Sequence, residues 1–149
     1  ETLLGNYCGN ELVVGELPFV GFGDTTMATN DFEVPESGCT VDIWEVLGAM
    51  SNDQVWRFTP AVAGSYTVSV NGSTSAGNFH PVAFVVDDCE AAAALEATCY
   101  GVDRYEWDPI PITVDLAAGE TVFIVVDGHD TLEGVSIWNN VGGYVLTVF

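Results

Sequence analysis

Thr121-Val122-Phe123-Ile124-Val125-Val126-Asp127-Gly128 decides the fold class. Its apolar run is β-branched and aromatic and closes on an Asp-Gly turn signal, the vocabulary of a central strand. The final stretch, Gly143-Tyr144-Val145-Leu146-Thr147-Val148-Phe149, reads as its partner. Neither alternates cleanly between apolar and polar residues, so something is expected to cover both faces.

Working outward, residues 54–59 and 65–70 alternate, with Trp56, Phe58, Tyr66, Val68 and Val70 inward and a hairpin turn from Pro60 to Gly64. Residues 82–87 form a nearly continuous apolar run, whose Phe84 and Val86 are assigned to the core. Residues 112–116 alternate again, with Ile112, Val114 and Leu116 inward. Two short strands, 11–14 and 19–22, are separated by Gly15 and Pro18. Residues 23–52 look irregular, with 41–46 as a short strand or flap, and residues 90–98 read as a helical turn or compact loop. About seven or eight strands without a long helix predict an all-β protein, an antiparallel β-sandwich of jelly-roll type. Residues 1–10 read as an N-terminal arm and 11–149 as a single domain.

The charge balance is extreme: 22 Asp plus Glu stand against Arg57 and Arg104, with no Lys, for a net charge of −20. Nucleic acid and anionic membrane surfaces would be repelled, and no apolar run is long enough for membrane insertion. A solvated acidic surface explains the charge, as does partial neutralisation by a hard cation, for which oxygen ligands favour calcium over zinc. The chain opens on Glu1, which reads as a processed or trimmed product.

Cys8, Cys39, Cys89 and Cys99 form no CxxC pair, so two disulfides and an oxidising, extracellular location are expected. Of the three possible pairings, Cys8–Cys39 with Cys89–Cys99 is favoured, since the second closes a short local loop.

Several segments in fixed order resemble a known family. They are Gly23-Asp24-Thr25-Thr26, Ala28-Thr29-Asn30-Asp31, residues 51–60, Gly64-Ser65-Tyr66-Thr67-Val68, residues 81–89, residues 116–121, and the stretches ending at Gly128 and Val148. Over residues 6–149 the series resembles the bacterial pre-peptidase C-terminal domain family. These are secreted sandwich modules related to the collagen-binding domains of bacterial collagenases. The resemblance implies a jelly roll, often stabilised by calcium, with no catalytic residues of its own and usually appended to a secreted enzyme or surface protein. No enzyme accompanies this chain, so a task of its own, binding or assembly, is expected.

Asp24, Asn30, Asp31 and Asp53 are the leading calcium candidates, as loop oxygens at a sandwich end; the alternative is turn residues bonding their own backbone. Asp127 and Asp130, with Glu133 and His129, form a weaker cluster that reads more readily as a solvated loop. Trp44, Trp107 and Trp138 fall on predicted loops, where aromatic rings stack on sugars or plug a neighbour, or simply pack locally. No residue order marks a catalytic triad. With the inner residues assigned, Ala83, Val85, Phe123, Val125, Val145 and Phe149 remain on an outer face, covered either by the chain itself or by a second copy. Leu3 and Leu4 of the arm could reach a neighbour's sheet. Two functions therefore compete. One is a self-assembling subunit of a surface layer, matrix or filament, a homo-oligomer or polymer. The other is a binding module for extracellular polysaccharide or protein, or an accessory unit beside a secreted protease.

Overall fold

The computed structural model describes residues 3–33, 39, 51–72, 79–94, 97–104, 111–129, 131–132, 135–136 and 140–149. Its strands are β1 (Leu12–Val13), β2 (Phe19–Asp24), β3 (Gln54–Phe58), β4 (Gly64–Gly72), β5 (Pro81–Val86), β6 (Cys99–Arg104), β7 (Ile112–Leu116), β8 (Val122–Gly128), β9 (Thr131–Leu132), β10 (Val135–Ser136) and β11 (Gly143–Val148). A five-stranded sheet in the order β1-β3-β8-β5-β6 faces a four-stranded sheet in the order β2-β11-β4-β7. All these pairings are antiparallel except β1 with β3. The β-sandwich is the architecture expected. The sequence does not announce β6, whose mixed, Gly-containing residues lack a clean alternation. The strand expected at 41–46 lies outside the described residues.

The opening strand is not paired as expected. β8 lies between β3 and β5, whereas β11 lies between β2 and β4 in the other sheet. β8 and β11 oppose each other across the core, because each sheet buries an apolar face against the other. Val122, Ile124 and Val126 meet Tyr144, Leu146 and Val148 there, together with Trp56, Phe58, Val68 and Val70.

The face of β5 also needs correcting. Ala83 and Val85 stand opposite Val126 and Ile124, so they enter the sandwich core, and Phe84 and Val86 turn to the other side. An uninterrupted apolar run carries no parity signal, and an error of one residue exchanges the two faces.

That other side is covered by the chain itself. Val55, Val82, Phe84, Val86 and Val125, with Cys99 of β6, lie under Phe32, Cys39, Cys89, Ala92 and Ala97 as a second apolar core, with Phe123 and Cys8 at its margin. Helix α1 (Cys89–Ala93) belongs to this cover; Asp88 caps it by accepting from Ala91 N–H at 2.9 Å.

The disulfides differ from the favoured pairing: Cys8 joins Cys89, and Cys39 joins Cys99. The arm crosses the outer face to the head of α1, so Cys8 and Cys89 have Cα atoms 5.8 Å apart despite 81 residues of separation. Nearness along the chain was the wrong guide: one cystine ties the arm to the head of α1 within the cover, and the other ties Cys39 of the cover to the start of β6. The arm is held at its base as well. Val55 N–H donates to Gly5 O at 2.7 Å, and Gln54 Nε2 donates to Leu4 O at 3.1 Å. Gly5 has φ of 80°, in the left-handed region where any other side chain is strained, so the turn that brings the arm to β3 favours glycine.

Candidate functional site

Two surfaces bear on function. The first surrounds Asp53, immediately before β3. Its N–H donates to Thr29 O at 3.0 Å. Its Oδ2 accepts from the N–H groups of Asp31 at 2.8 Å and Phe32 at 2.9 Å, pinning the loop that brings Phe32 over the sheet. Asp53 is fully buried, and its Oδ1 has no hydrogen-bond partner. Burial pushes its carboxyl up to about 7, against the lowering effect of the two N–H bonds, and the charge of Asp31 adds to the rise. Asp31 is exposed and accepts from Thr29 Oγ1. Asn30, Asp31, Phe32, Glu33 and Ala93 line a cleft of about 140 Å³.

The loop thus brings Asn30 and Asp31 to Asp53. Asp24 lies apart: its Oδ1 accepts from Thr26 N–H at 2.8 Å, an Asx turn, and it borders a different hollow. Asp127 and His129 are buried rather than solvated, and Asp127 Oδ1 accepts from Gly128 N–H at 2.7 Å. Asp130 and Glu133 lie outside the described residues. A buried carboxylate with one bare oxygen beside a second carboxylate is hard-cation chemistry. Among the described residues, however, no three acidic, imidazole or thiol groups converge to hold a metal. Calcium there would draw on Asp31, Asp53 and amide oxygens such as that of Asn30.

The second surface is the outer side of the four-stranded sheet. Of the predicted interface residues, Val125 is fully buried within the chain and Phe123 is half-buried, so neither offers an open face. Val145 is half-buried on β11, and Phe149 is exposed just beyond it. Val145 stands opposite Phe22, and Thr147 opposite Val20. Phe22 is 76% exposed, Met27 81%, Leu4 60% and Val20 56%. Phe22, Val20 and Met27 were not foreseen, yet a signal exists in the glycines of Phe19-Val20-Gly21-Phe22-Gly23. A Cβ on Gly23 would lie 2.2 Å from the Tyr144 ring, and one on Gly21 would lie 2.7 Å from Trp56 Cη2. Gly21 and Gly23 leave room at inner positions for these two rings, while Phe19 packs against Trp56 and the side chains of Val20 and Phe22 point out. Trp44, Trp107 and Trp138 lie outside the described residues.

Beside β2, Leu3, Leu4, Phe22 and Met27 with Asp24 and Gln54 border an open hollow of about 760 Å³. Gln54 closes its inner end: Asp24 N–H donates to Gln54 Oε1 at 3.0 Å while Gln54 Nε2 holds Leu4 O.

No protein-family model matches the sequence, and no curated protein is similar to it. Among solved structures, the pre-peptidase C-terminal domain of collagenase from Bacillus anthracis is similar at 14% identity and a TM-score of 0.51, over 93% of this chain and 96% of that one. A family 35 carbohydrate-binding module from an environmental isolate aligns at 18% identity, over 100% of this chain and 93% of that one, with a TM-score of 0.35. Another, from Clostridium thermocellum, aligns at 13% identity over 87% and 91%, also at 0.35. These last two alignments are too loose to place any residue. The chain has the β-sandwich fold of the collagenase pre-peptidase C-terminal domain.

Proposed function

We propose that the chain is a non-catalytic, secreted binding module that attaches to an extracellular polypeptide through the surface around β2. The exposed apolar set of Val20, Phe22, Met27 and Leu4 carries this reading. The other apolar excess, on β5 and β8, is occupied by the chain's own cover. Isolated exposed apolar residues are ordinary, whereas a contiguous group beside a hollow marks an interaction site. The paired cysteines support an extracellular location. Polysaccharide is the alternative ligand, and the tryptophans expected to bind it, Trp44, Trp107 and Trp138, lie outside the described residues. The experiment is surface binding of the folded protein to extracellular matrix polypeptides and, in parallel, to matrix polysaccharides, with a Val20→Ser/Phe22→Ser variant. Polypeptide binding that the double variant abolishes supports the reading; polysaccharide binding indifferent to it sinks the reading.

A second reading, self-assembly into a layer, matrix or filament, has its own support in Val145 and Phe149 beside Phe22 and Val20. It loses the support of a free N-terminal arm, because residues from Leu4 onward are tied to β3 and α1. Sedimentation over a range of protein concentrations tests it: a monomer throughout removes it.

Calcium stabilisation belongs to the same proposal. The bare Oδ1 of buried Asp53, beside Asp31, supports it. Calcium should raise the melting temperature and chelator lower it, and Asp53→Asn should abolish the difference. An identical melt with and without calcium discards this part.

A further inference from the structure

Among the described residues β2 is the edge of its sheet, and that edge has a chemistry that narrows the partner. Thr25 N–H donates to Gly142 O at 3.1 Å, on the β11 side, whereas Asp24 N–H turns the other way, to Gln54 Oε1 at 3.0 Å. Backbone groups alternate in direction along an antiparallel ladder, so the N–H and C=O groups of Val20 and Phe22 point off the open edge. An exposed edge with its main-chain groups unpaired is a template for another strand. The charged residues that flank the strand, Glu16 and Asp24, are acidic. Asp24 borders the hollow, Glu16 is exposed just before the strand, and the described lining holds no basic side chain.

Resting on the binding-module reading, we infer that this edge takes up an extended, basic segment of a partner polypeptide as an added strand. The segment hydrogen-bonds to Val20 and Phe22, sets its alternate apolar side chains against Phe22, Met27 and Leu4, and brings Lys or Arg to Asp24 and Glu16. A second copy is the poorer fit. The chain carries −20 and no Lys, so it has no basic strand to offer, and an antiparallel β2–β2 pair would bring Asp24 of each copy toward the acidic start of the other.

The test uses the folded protein and three synthetic peptides: a Val/Thr-alternating core flanked by Lys and Arg, the same core flanked by Glu, and the basic peptide with Pro at alternate core positions. The basic peptide should bind at least tenfold tighter than either of the others and weaken as salt rises. The amides of Val20 and Phe22 should gain protection from hydrogen exchange. Phe22→Pro should abolish binding without lowering the melting temperature, because the lost N–H lies off the ladder. Phe22→Thr should weaken binding even if the proline variant fails to fold, and Asp24→Asn should flatten the salt dependence. Equal binding of all three peptides, or protection elsewhere than β2, overturns the inference. Dimerisation of the protein alone that protects Val20 and Phe22 overturns it in favour of a second copy. Binding of matrix polypeptides that survives Phe22→Pro but fails in the Val20→Ser/Phe22→Ser variant overturns strand addition while leaving the binding module intact.

Discussion

The indole Nε1–H of Trp56 donates to the phenol oxygen of Tyr144 at 2.8 Å, joining β3 to β11 through the middle of the sandwich. The phenol O–H in turn donates to Gln54 Oε1 at 3.0 Å, and Gln54 holds both β2 and the arm. Burial pushes the Tyr144 hydroxyl up, so it stays a neutral donor across the working pH range. This polar thread lets two large rings enter an apolar core without leaving a bare donor.

Tyr144→Phe removes the middle of the thread and strands the Trp56 N–H. The expected loss is about 1–3 kcal/mol in urea unfolding at unchanged m-value. Gly23→Ala, which drives a methyl into the same ring, should cost a similar amount without removing any polar group.

Asp53 makes stability fall as pH rises. Its carboxyl is pushed above its ordinary value of 3.8 to about 7, so the folded state holds the proton more tightly than the unfolded chain. The penalty is absent below about pH 4, grows between pH 4 and 7, and reaches roughly 4 kcal/mol at most above it. Asp53→Asn keeps an acceptor for the Asp31 and Phe32 N–H groups but cannot ionise. The difference in unfolding free energy between wild type and variant, followed from pH 4 to 8, should open steadily in favour of Asn. A constant difference would contradict the burial argument.

Non-reducing peptide mapping should return Cys8 linked to Cys89 and Cys39 linked to Cys99. Replacing Cys8 and Cys89 by Ser should cost about 2–5 kcal/mol, given the long loop they close. The loss should fall on the attachment of the arm and α1, seen as faster amide exchange there than in β11.

The covered and open faces should answer differently to truncation. Phe84→Ala, within the second core, should cost about 3–5 kcal/mol. Phe149→Ala, on the exposed side of the other sheet, should stay within about 0.5 kcal/mol of wild type in thermal or urea unfolding.

Strands with clean alternation were legible in the sequence down to their faces: β3, β4 and β7 bury the side chains that period two assigns to them, and β11, though less cleanly alternating, buries Tyr144, Leu146 and Val148 as expected. β8 was legible as a strand but not in its neighbours, because apolar character says that a strand is central and not which sheet holds it. β5 was legible only as a buried run, and its parity came from pairing with β8. The candidate sites were less legible still. Asn30, Asp31 and Asp53 are loop acids whose association depends on one backbone turn, while Asp24, similar by composition, is spent on its own Asx turn. Phe22 was hidden among glycines whose meaning appears only when the rings of Trp56 and Tyr144 are set against them.

The Cys8–Cys89 link also determines how the molecule would bear tension. A load applied between the arm and β11 passes directly from one cysteine to the other, so the 81-residue separation between them adds nothing to the extensible length. β1 through β5, including the open edge of β2, sit inside this closed loop, while the force runs through α1 and the strands that follow. Under such a load the β2 edge is not drawn out lengthwise, even if β11 is pulled from its sheet.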